Sequence, residues 1–250
     1  MILLVDVGNS NIVFGFTDGT DIVNTFRFKS VKDITTDEYY LIIKAMLDKY
    51  EVNDVIISSV VPVITSALKK LFIKYLNREP LIIAPGVKTG IEPKCDDPRS
   101  VGSDLICDSA GAMKYYDESI VIDLGTATKY VHVKNNKFLG CSIAPGVSIS
   151  MKALTNSAAL LPQVEMIVPK KVMSTNTINC IQSGVLYGAA SQVDGMIDRI
   201  IEEIGNENIN IIATGGLSGV IIPLCKHNIK KVDNLTLIGL LEIYNRNKGC

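Results

Sequence analysis

The segment LLVDVGNSNIVFGF, which begins at Leu3, returns as IVIDLGTATKYVHV, which begins at Ile120. Each is an apolar run that ends in Asp-x-Gly, crosses a small polar turn and continues as a second β-rich run. Asp6, Gly8 and Asn9 fall on Asp123, Gly125 and Thr126 at one fixed offset. A weaker echo pairs DVIISSVVP, from Asp54, with NIIATGGLS, from Asn210, each an Ile-rich run entering a turn of small residues. A chain that repeats the order of its elements at this scale folds as two copies of one unit. The length of 250 residues accommodates two domains, and 47% hydrophobic against 20% charged residues supplies a core for each. The expected division is 1–117 and 118–250, two α/β domains whose sheets each open with a β-hairpin and are flanked by helices.

Local signals agree with this order. Thr35-x-x-Glu38 forms a capping-box pattern ahead of Tyr39, Ile42, Ile43, Met46, Leu47 and Tyr50, which share one helical face. The same period links Val193, Met196, Ile197, Ile200, Ile201 and Ile204, with Gly205 as the stop. Residues 64–76 and 105–116 read as further helices. Residues 17–29 and 130–142 read as hairpins turned at Asp18-Gly19 and Asn135-Asn136.

Charge and cysteine usage remove several function classes. With 25 Lys+Arg against 26 Asp+Glu, the net charge of -1 generates no field for a polyanion, so nucleic acid is not the expected partner. Asp6 interrupts the first apolar run too early for a signal peptide, and Pro62 breaks VIISSVVPVI, so no membrane span is expected. The six cysteines (Cys95, Cys107, Cys141, Cys180, Cys225 and Cys250) are dispersed without a C-x-x-C pair, which points to reduced thiols and a cytoplasmic protein. His132 and His227 are the only histidines, too few for a metal cage or a His-based triad.

The turn Asp6-Val7-Gly8-Asn9-Ser10 carries the first chemical signal. A turn of Gly and small polar residues directs successive backbone N–H groups into a concavity, and Asn9, Ser10 and Asn11 add donors without bulk. A phosphate fits such a turn, and Asp6 is placed to hold Mg²⁺ directly or through water. Taken alone, Gly8 and Asn9 are better read as a simple tight turn. Duplication favours the ligand, because two such turns from two similar domains can grip the terminal phosphates and the rest of a nucleotide across a cleft.

DVGNSNIVFG, VGSD, VIDLGTAT, APGV, NTINCIQSG and ATGGLS, in this order and at these spacings, resemble type III pantothenate kinase. That family belongs to the superfamily of acetate and sugar kinases, heat-shock chaperone ATPases and actin. The likeness runs from Ile2 to about Tyr244. It implies two duplicated ribonuclease-H-like domains with a nucleotide cleft between them, and ATP-dependent phosphorylation of pantothenate in coenzyme A biosynthesis. The enzyme would be a homodimer needing Mg²⁺ and a monovalent cation, K⁺ or NH₄⁺. By the resemblance, the ATP-phosphate turn falls on Asp6 through Val13, and the second nucleotide turn on Gly125, Thr126 and Thr128. The monovalent-cation carboxylate falls on Asp123. Gly-Ala-Asp-Arg of the family lands on Gly102-Ser103-Asp104-Leu105, so Asp104 inherits the role of general base toward the substrate hydroxyl. Thr177 matches a threonine that reaches the substrate from the neighbouring subunit. For Asp104 and Thr177, helix capping is the simpler structural reading.

The chain departs from the family at four places. Leu105 replaces an arginine after the base, Cys95 replaces a tyrosine of the substrate loop, and Asp97-Pro98 replaces Asn-Pro. Loss of a bidentate contact to a carboxylate substrate is worth about 1.5–3 kcal/mol, roughly 10- to 150-fold in affinity, unless Arg99, Lys94 or Lys88 takes over. The fourth departure is Lys129, which follows Gly125-Thr126-Ala127-Thr128 where the family has threonine. Lys129 either points to solvent or sets its ammonium where the family binds K⁺. The leading reading is a pantothenate kinase. Its alternatives are a nucleotide-binding paralogue with weak or no such activity, acting as a regulator, and a kinase for another small hydroxy acid.

Overall fold

A computed structural model describes residues 1–248 of the chain. In the first of two compact units, β1 (Ile2–Val7), β2 (Asn11–Thr17) and β3 (Ile22–Lys29) form an antiparallel meander. Helix α1 (Thr36–Leu47) crosses to β4 (Asp54–Ser59), which pairs parallel with β1, and α2 (Pro62–Leu76) leads to the short β5 (Leu81–Ile82). Beyond them come β6 (Glu92–Pro93) and α3 (Ser103–Ala112). The sheet order is β3-β2-β1-β4-β5.

The second unit repeats the plan. Here β7 (Glu118–Leu124), β8 (Ala127–Lys134) and β9 (Lys137–Pro145) form the meander, and α4 (Val147–Ser157) and α5 (Thr177–Ile204) follow. β10 (Asn210–Thr214) then pairs parallel with β7, and α6 (Ser218–Ile221) leads to β11 (Lys230–Lys231). The order β9-β8-β7-β10-β11 matches that of the first sheet strand for strand. Registers match as well: Ile2 lies opposite Asp54, and Ser119, its counterpart at the repeat offset, lies opposite Asn210. The faint echo between DVIISSVVP and NIIATGGLS is thus one structural position occupied twice.

The elements form for local reasons. Glu38 N–H donates to Thr35 Oγ1 at 3.3 Å and Thr35 N–H donates to Glu38 Oε2 at 2.7 Å, completing the capping box of α1. Asn135 and Asn136 sit at φ 48° and 60°, the left-handed pair that a two-residue hairpin requires. Gly205 ends α5 at φ 71°. On β1 and β2, Leu3, Val5, Val7, Phe14 and Phe16 join Ile43, Ile64, Leu68 and Phe72 of α1 and α2 in one core. Ile120, Ile122, Tyr130, Leu186, Val193 and Ile197 form the corresponding core of the second unit. Among the described residues no helix is long and apolar enough to cross a membrane. Among the described residues no disulfide joins Cys95, Cys107, Cys141, Cys180 or Cys225, and Cys250 lies outside the described residues.

The chain's division differs from a cut at residue 117. Helix α7 (Leu235–Lys248), for which the sequence reading predicts no helix, returns to the first unit, where it packs on α3, β1 and β4. Residues 136–138 also cluster there, with β6 paired to Lys137 and Phe138. The reason is steric. A Cβ on Gly239 would lie 1.7 Å from the Cys107 carbonyl oxygen, and one on Gly111 would lie 2.5 Å from the Leu235 carbonyl oxygen. Helices α3 and α7 meet backbone to backbone through these glycines, and a repeat offset carries no trace of such a fit.

Candidate active site

The β1–β2 turn of the first unit is held from beneath. Gly8 N–H donates to the Asn11 carbonyl at 3.0 Å, while Ser30 donates its hydroxyl to the Gly8 carbonyl at 2.6 Å and its N–H to the Ser10 carbonyl at 3.0 Å. Asn9 and Ser10 are exposed at the tip, and Asp6 is half-buried at the end of β1 opposite Ser58 of β4. Ser30 was invisible as a site residue in the sequence, since one serine after a strand carries no pattern.

Ser103 fixes the start of α3 on β4. Its Oγ accepts from Ser59 N–H at 2.9 Å, donates to the Ser59 carbonyl at 3.0 Å and lies 3.1 Å from Ser58 Oγ. The Ser103 hydroxyl thus anchors the helix on β4. Gly102 is the helix N-cap and Asp104 the second helical residue, so the capping reading of Asp104 is replaced by a place within the first turn, where the helix dipole favours a carboxylate. Asp104 Oδ1 accepts from Leu105 N–H at 2.9 Å, and it lies 2.5 Å from where a Cβ on Gly102 would be, so a side chain there would displace this carboxylate.

The Cys107 thiol records what surrounds it. Burial first, then the negative charge of Asp6, push it well above its ordinary value; a hydrogen bond with Ser58 offsets part of this, and Asp108 and Asp104 add to it. Asp6 and Asp104, remote in sequence, thus both act on the Cys107 thiol, and Ser58, which lies opposite Asp6 on β4, is 3.1 Å from Oγ of Ser103, the residue before Asp104. The buried Asp108, one helical turn beyond Asp104, accepts from Thr236 Oγ1 of α7 at 2.6 Å. Among the described residues no group of three or more His, Cys, Asp or Glu forms a metal cage.

The three departures near the substrate loop take distinct positions. Leu105 is buried, Cys95 is half-buried, and Asp97 caps the turn Pro98–Ser100 by accepting from Arg99 N–H at 3.1 Å. Of the cations available to compensate, Lys94 pairs with Glu92, while the Arg99 side chain is exposed.

In the second unit three motifs converge on one turn. Gly125 N–H donates to the Ala127 carbonyl at 3.2 Å, and Gly146, the N-cap of α4, donates to the Thr126 carbonyl at 3.2 Å. A Cβ on Gly146 would meet that oxygen at 2.3 Å. Leu217 N–H donates to the Leu124 carbonyl at 3.2 Å, which brings ATGGLS beside VIDLGTAT. Thr126 is exposed at the tip, whereas Thr128 is buried in β8. Asp123 faces Lys129 directly across the β7–β8 ladder, with Nζ 2.7 Å from Oδ2. The solvent reading of Lys129 is thereby excluded.

Thr177 is exposed as the first residue of α5, and the cap is Asn176, whose Oδ1 accepts from Asn179 N–H at 2.9 Å. The apolar stripe of α5 is partly consumed inside, since Ile181, Leu186, Val193 and Ile197 are buried. Leu160, Met173 and Ile178 remain exposed in the segment that precedes and begins α5.

A sequence model of the family described as type III pantothenate kinase matches residues 2–199. The chain is 47% identical over 247 residues to a type III pantothenate kinase of Acholeplasma laidlawii and 43% identical over 256 residues to one of Geotalea daltonii, with 99% of each chain covered in both cases. Solved structures add the fold. The activator of the 2-hydroxyisocaproyl-CoA dehydratase from Clostridium difficile with bound ADPNP superposes with TM-score 0.55 at 14% identity, covering 97% of this chain and 93% of that one. A ROK family protein from Streptococcus pneumoniae in complex with sucrose superposes with TM-score 0.56 at 10% identity, covering 99% of both. Two units of one ribonuclease-H-like plan, six motifs in order and full-length identity at this level agree: the chain belongs to the type III pantothenate kinase family.

Proposed function

We propose that the chain transfers the γ-phosphoryl group of ATP to the primary hydroxyl of pantothenate, giving 4′-phosphopantothenate and ADP at the first step of coenzyme A biosynthesis. The observation that supports this reading is the anchoring of α3 on β4 through Ser103: β4 carries Ser58 opposite Asp6, and Ser103 leads directly into Asp104. Asp104 orients the acceptor hydroxyl and takes its proton as the new O–P bond forms and the bond to the departing ADP oxygen breaks. Phosphoryl transfer has a loose transition state, so a carboxylate that positions the hydroxyl and accepts the proton late is sufficient. Asn9, Ser10 and Asn11 hold the terminal phosphates through backbone N–H groups and small side chains, on the turn that Val7 and Gly8 shape. Gly125 and Thr126 hold the remainder of the nucleotide, with buried Thr128 supporting them from within the strand. Gly102, Cys95, Leu105 and Thr177 belong to the pantothenate side in this reading, and Arg99, whose side chain is exposed, is the cation assigned to its carboxylate.

The residues present fit Mg²⁺. Asp6 offers a half-buried hard oxygen donor, and an ion held by one carboxylate is completed by nucleotide oxygens and water rather than by a protein cage. Bound there, Mg²⁺ supplies neutralisation of phosphate charge. A free monovalent cation at Asp123 does not fit, because the Lys129 ammonium already lies on Oδ2. The exposed side chains of Leu160, Met173 and Ile178, in the segment that leads into and begins α5, support a homodimer in which Thr177 serves the neighbouring site. The paralogue alternative draws no support from relatives that match at 41–47% identity over 99% of the chain.

The reading is tested by coupled ADP release from the purified protein with pantothenate and a panel of other small hydroxy acids. Turnover selective for pantothenate is expected, and selective turnover of another acid, or none, would overturn it.

A further inference from the structure

We propose that Lys129 is the resident cation of the second turn: its ammonium, fixed on Asp123, occupies the place a free monovalent cation would take, and nucleotide binding by this chain is independent of K⁺. The inference rests on the reading of Gly125–Thr128 as a nucleotide turn. The side chains of Lys129 and Asp123 are only 12% and 15% exposed, whereas lysine is about half-exposed in the pairs Lys44–Asp48, Lys69–Glu79 and Lys248–Asp54. Both carboxylate oxygens of Asp123 are enclosed. Oδ2 meets the ammonium at 2.7 Å, while Oδ1 lies 2.5 Å from where a Cβ on Gly215 would be and 3.2 Å from one on Gly125. Gly215 has φ 94°, a backbone state that other residues rarely adopt, so the chain wraps this carboxylate closely.

The location gives the pair its function. Asp123 lies near the end of β7, beside the turn of ATGGLS that follows β10, and ligands of open α/β sheets bind outside the carboxyl ends of such strands. A carboxylate this enclosed and unneutralised would be costly to bury and would repel phosphates. An ammonium has the charge of K⁺ and the chemistry of NH₄⁺. Tethered one ladder position away, it is present at an effective concentration that free salt does not match.

The test measures the affinity of ADP and of a non-hydrolysable ATP analogue by calorimetry, together with Tm, as KCl replaces choline chloride at constant ionic strength. For the unmodified chain both affinities should change less than about twofold. Lys129→Met, close in shape but uncharged, should lose about tenfold or more of its affinity in choline and recover it with K⁺ or NH₄⁺. Strengthening of the unmodified chain by K⁺ of about tenfold, or indifference of Lys129→Met to every salt, would overturn the proposal. If Lys129→Met does not fold, Lys129→Arg takes its place: retained K⁺ independence is expected, and a new K⁺ requirement despite the retained charge would count against it. If the unmodified chain binds no nucleotide in any salt, the nucleotide reading fails, and the Tm series then decides the cation by itself. A rise with K⁺ confined to Lys129→Met supports the tethered ammonium, and an equal response of both proteins sinks it.

Discussion

The tasks proposed for Asp104 and Asp6 are separable, and substitution separates them. Asp104→Asn keeps the size of the side chain and its hydrogen bond from Leu105 N–H but removes the proton acceptor, so kcat should fall by about 10²-fold or more while ATP affinity stays nearly constant. Steady-state kinetics with an independent nucleotide titration checks this, and unaltered turnover would remove Asp104 from the base role. Asp6→Asn acts on the metal and phosphates instead. It should weaken Mg²⁺-ATP binding by about tenfold and spare ADP binding measured without Mg²⁺. Equal Mg²⁺-ATP affinity in the two variants would contradict the assignment. At this scale the sequence was informative about residue type and weak about partners. Asp-x-Gly turns are legible because few residues adopt them, whereas Ser30 under the first turn and Ser103 on β4 act through hydrogen bonds that no spacing reveals.

Helix α3 is the element on which the proposed base rides, and α7 holds it. Gly239 allows α7 to pass against the Cys107 carbonyl, Thr236 donates to buried Asp108, and Lys114 of the segment after α3 pairs with Glu242 at 3.4 Å. Gly239→Ala must push the two backbones apart. A loss of about 1–3 kcal/mol is expected, lowering Tm by several degrees, with kcat reduced as the first turn of α3 moves away from β4. Calorimetry and kinetics on the same preparation would show this, and an unchanged Tm would mean that the helices do not meet through Gly239. Helix α1 was legible because its capping box and apolar stripe are local. Helix α7 was not: Leu235, Leu237, Leu240, Leu241, Ile243 and Tyr244 are all buried, so its apolar residues surround it and give no amphipathic period.

For the whole molecule, each unit carries one carboxylate tied at the base of its sheet. Burial alone would raise Asp54 and Glu118. It is outweighed for Asp54 by hydrogen bonds from Tyr244 and Lys248, and for Glu118 by those from His132 and Lys134, so both are held below their ordinary values of 3.8 and 4.5. Their folded forms bind protons less readily than the unfolded chain. The stability they contribute is therefore full above those ordinary values and is lost as pH falls through the depressed folded ones. Tm measured against pH should drop steeply in that acid window, and Asp54→Asn with Glu118→Gln should flatten the drop while lowering Tm near neutrality; an unchanged acid limb would show that other groups govern it. The repeat determined the double architecture, because strand order and register follow from where apolar runs and turns recur, and those are local properties of the chain. It also singled out Asp6 and Asp123 as candidates for chemistry, while Asp104 was proposed from the resemblance of its motif to the kinase family. Three things were decided only in three dimensions: that α7 belongs to the first unit, that Ser103 serves the scaffold, and that Lys129 lies on Asp123 rather than in solvent. Each depends on a close approach between segments separated along the chain or across a ladder, where backbone sterics and the cost of burying an unpaired charge select one partner among many that the sequence allows.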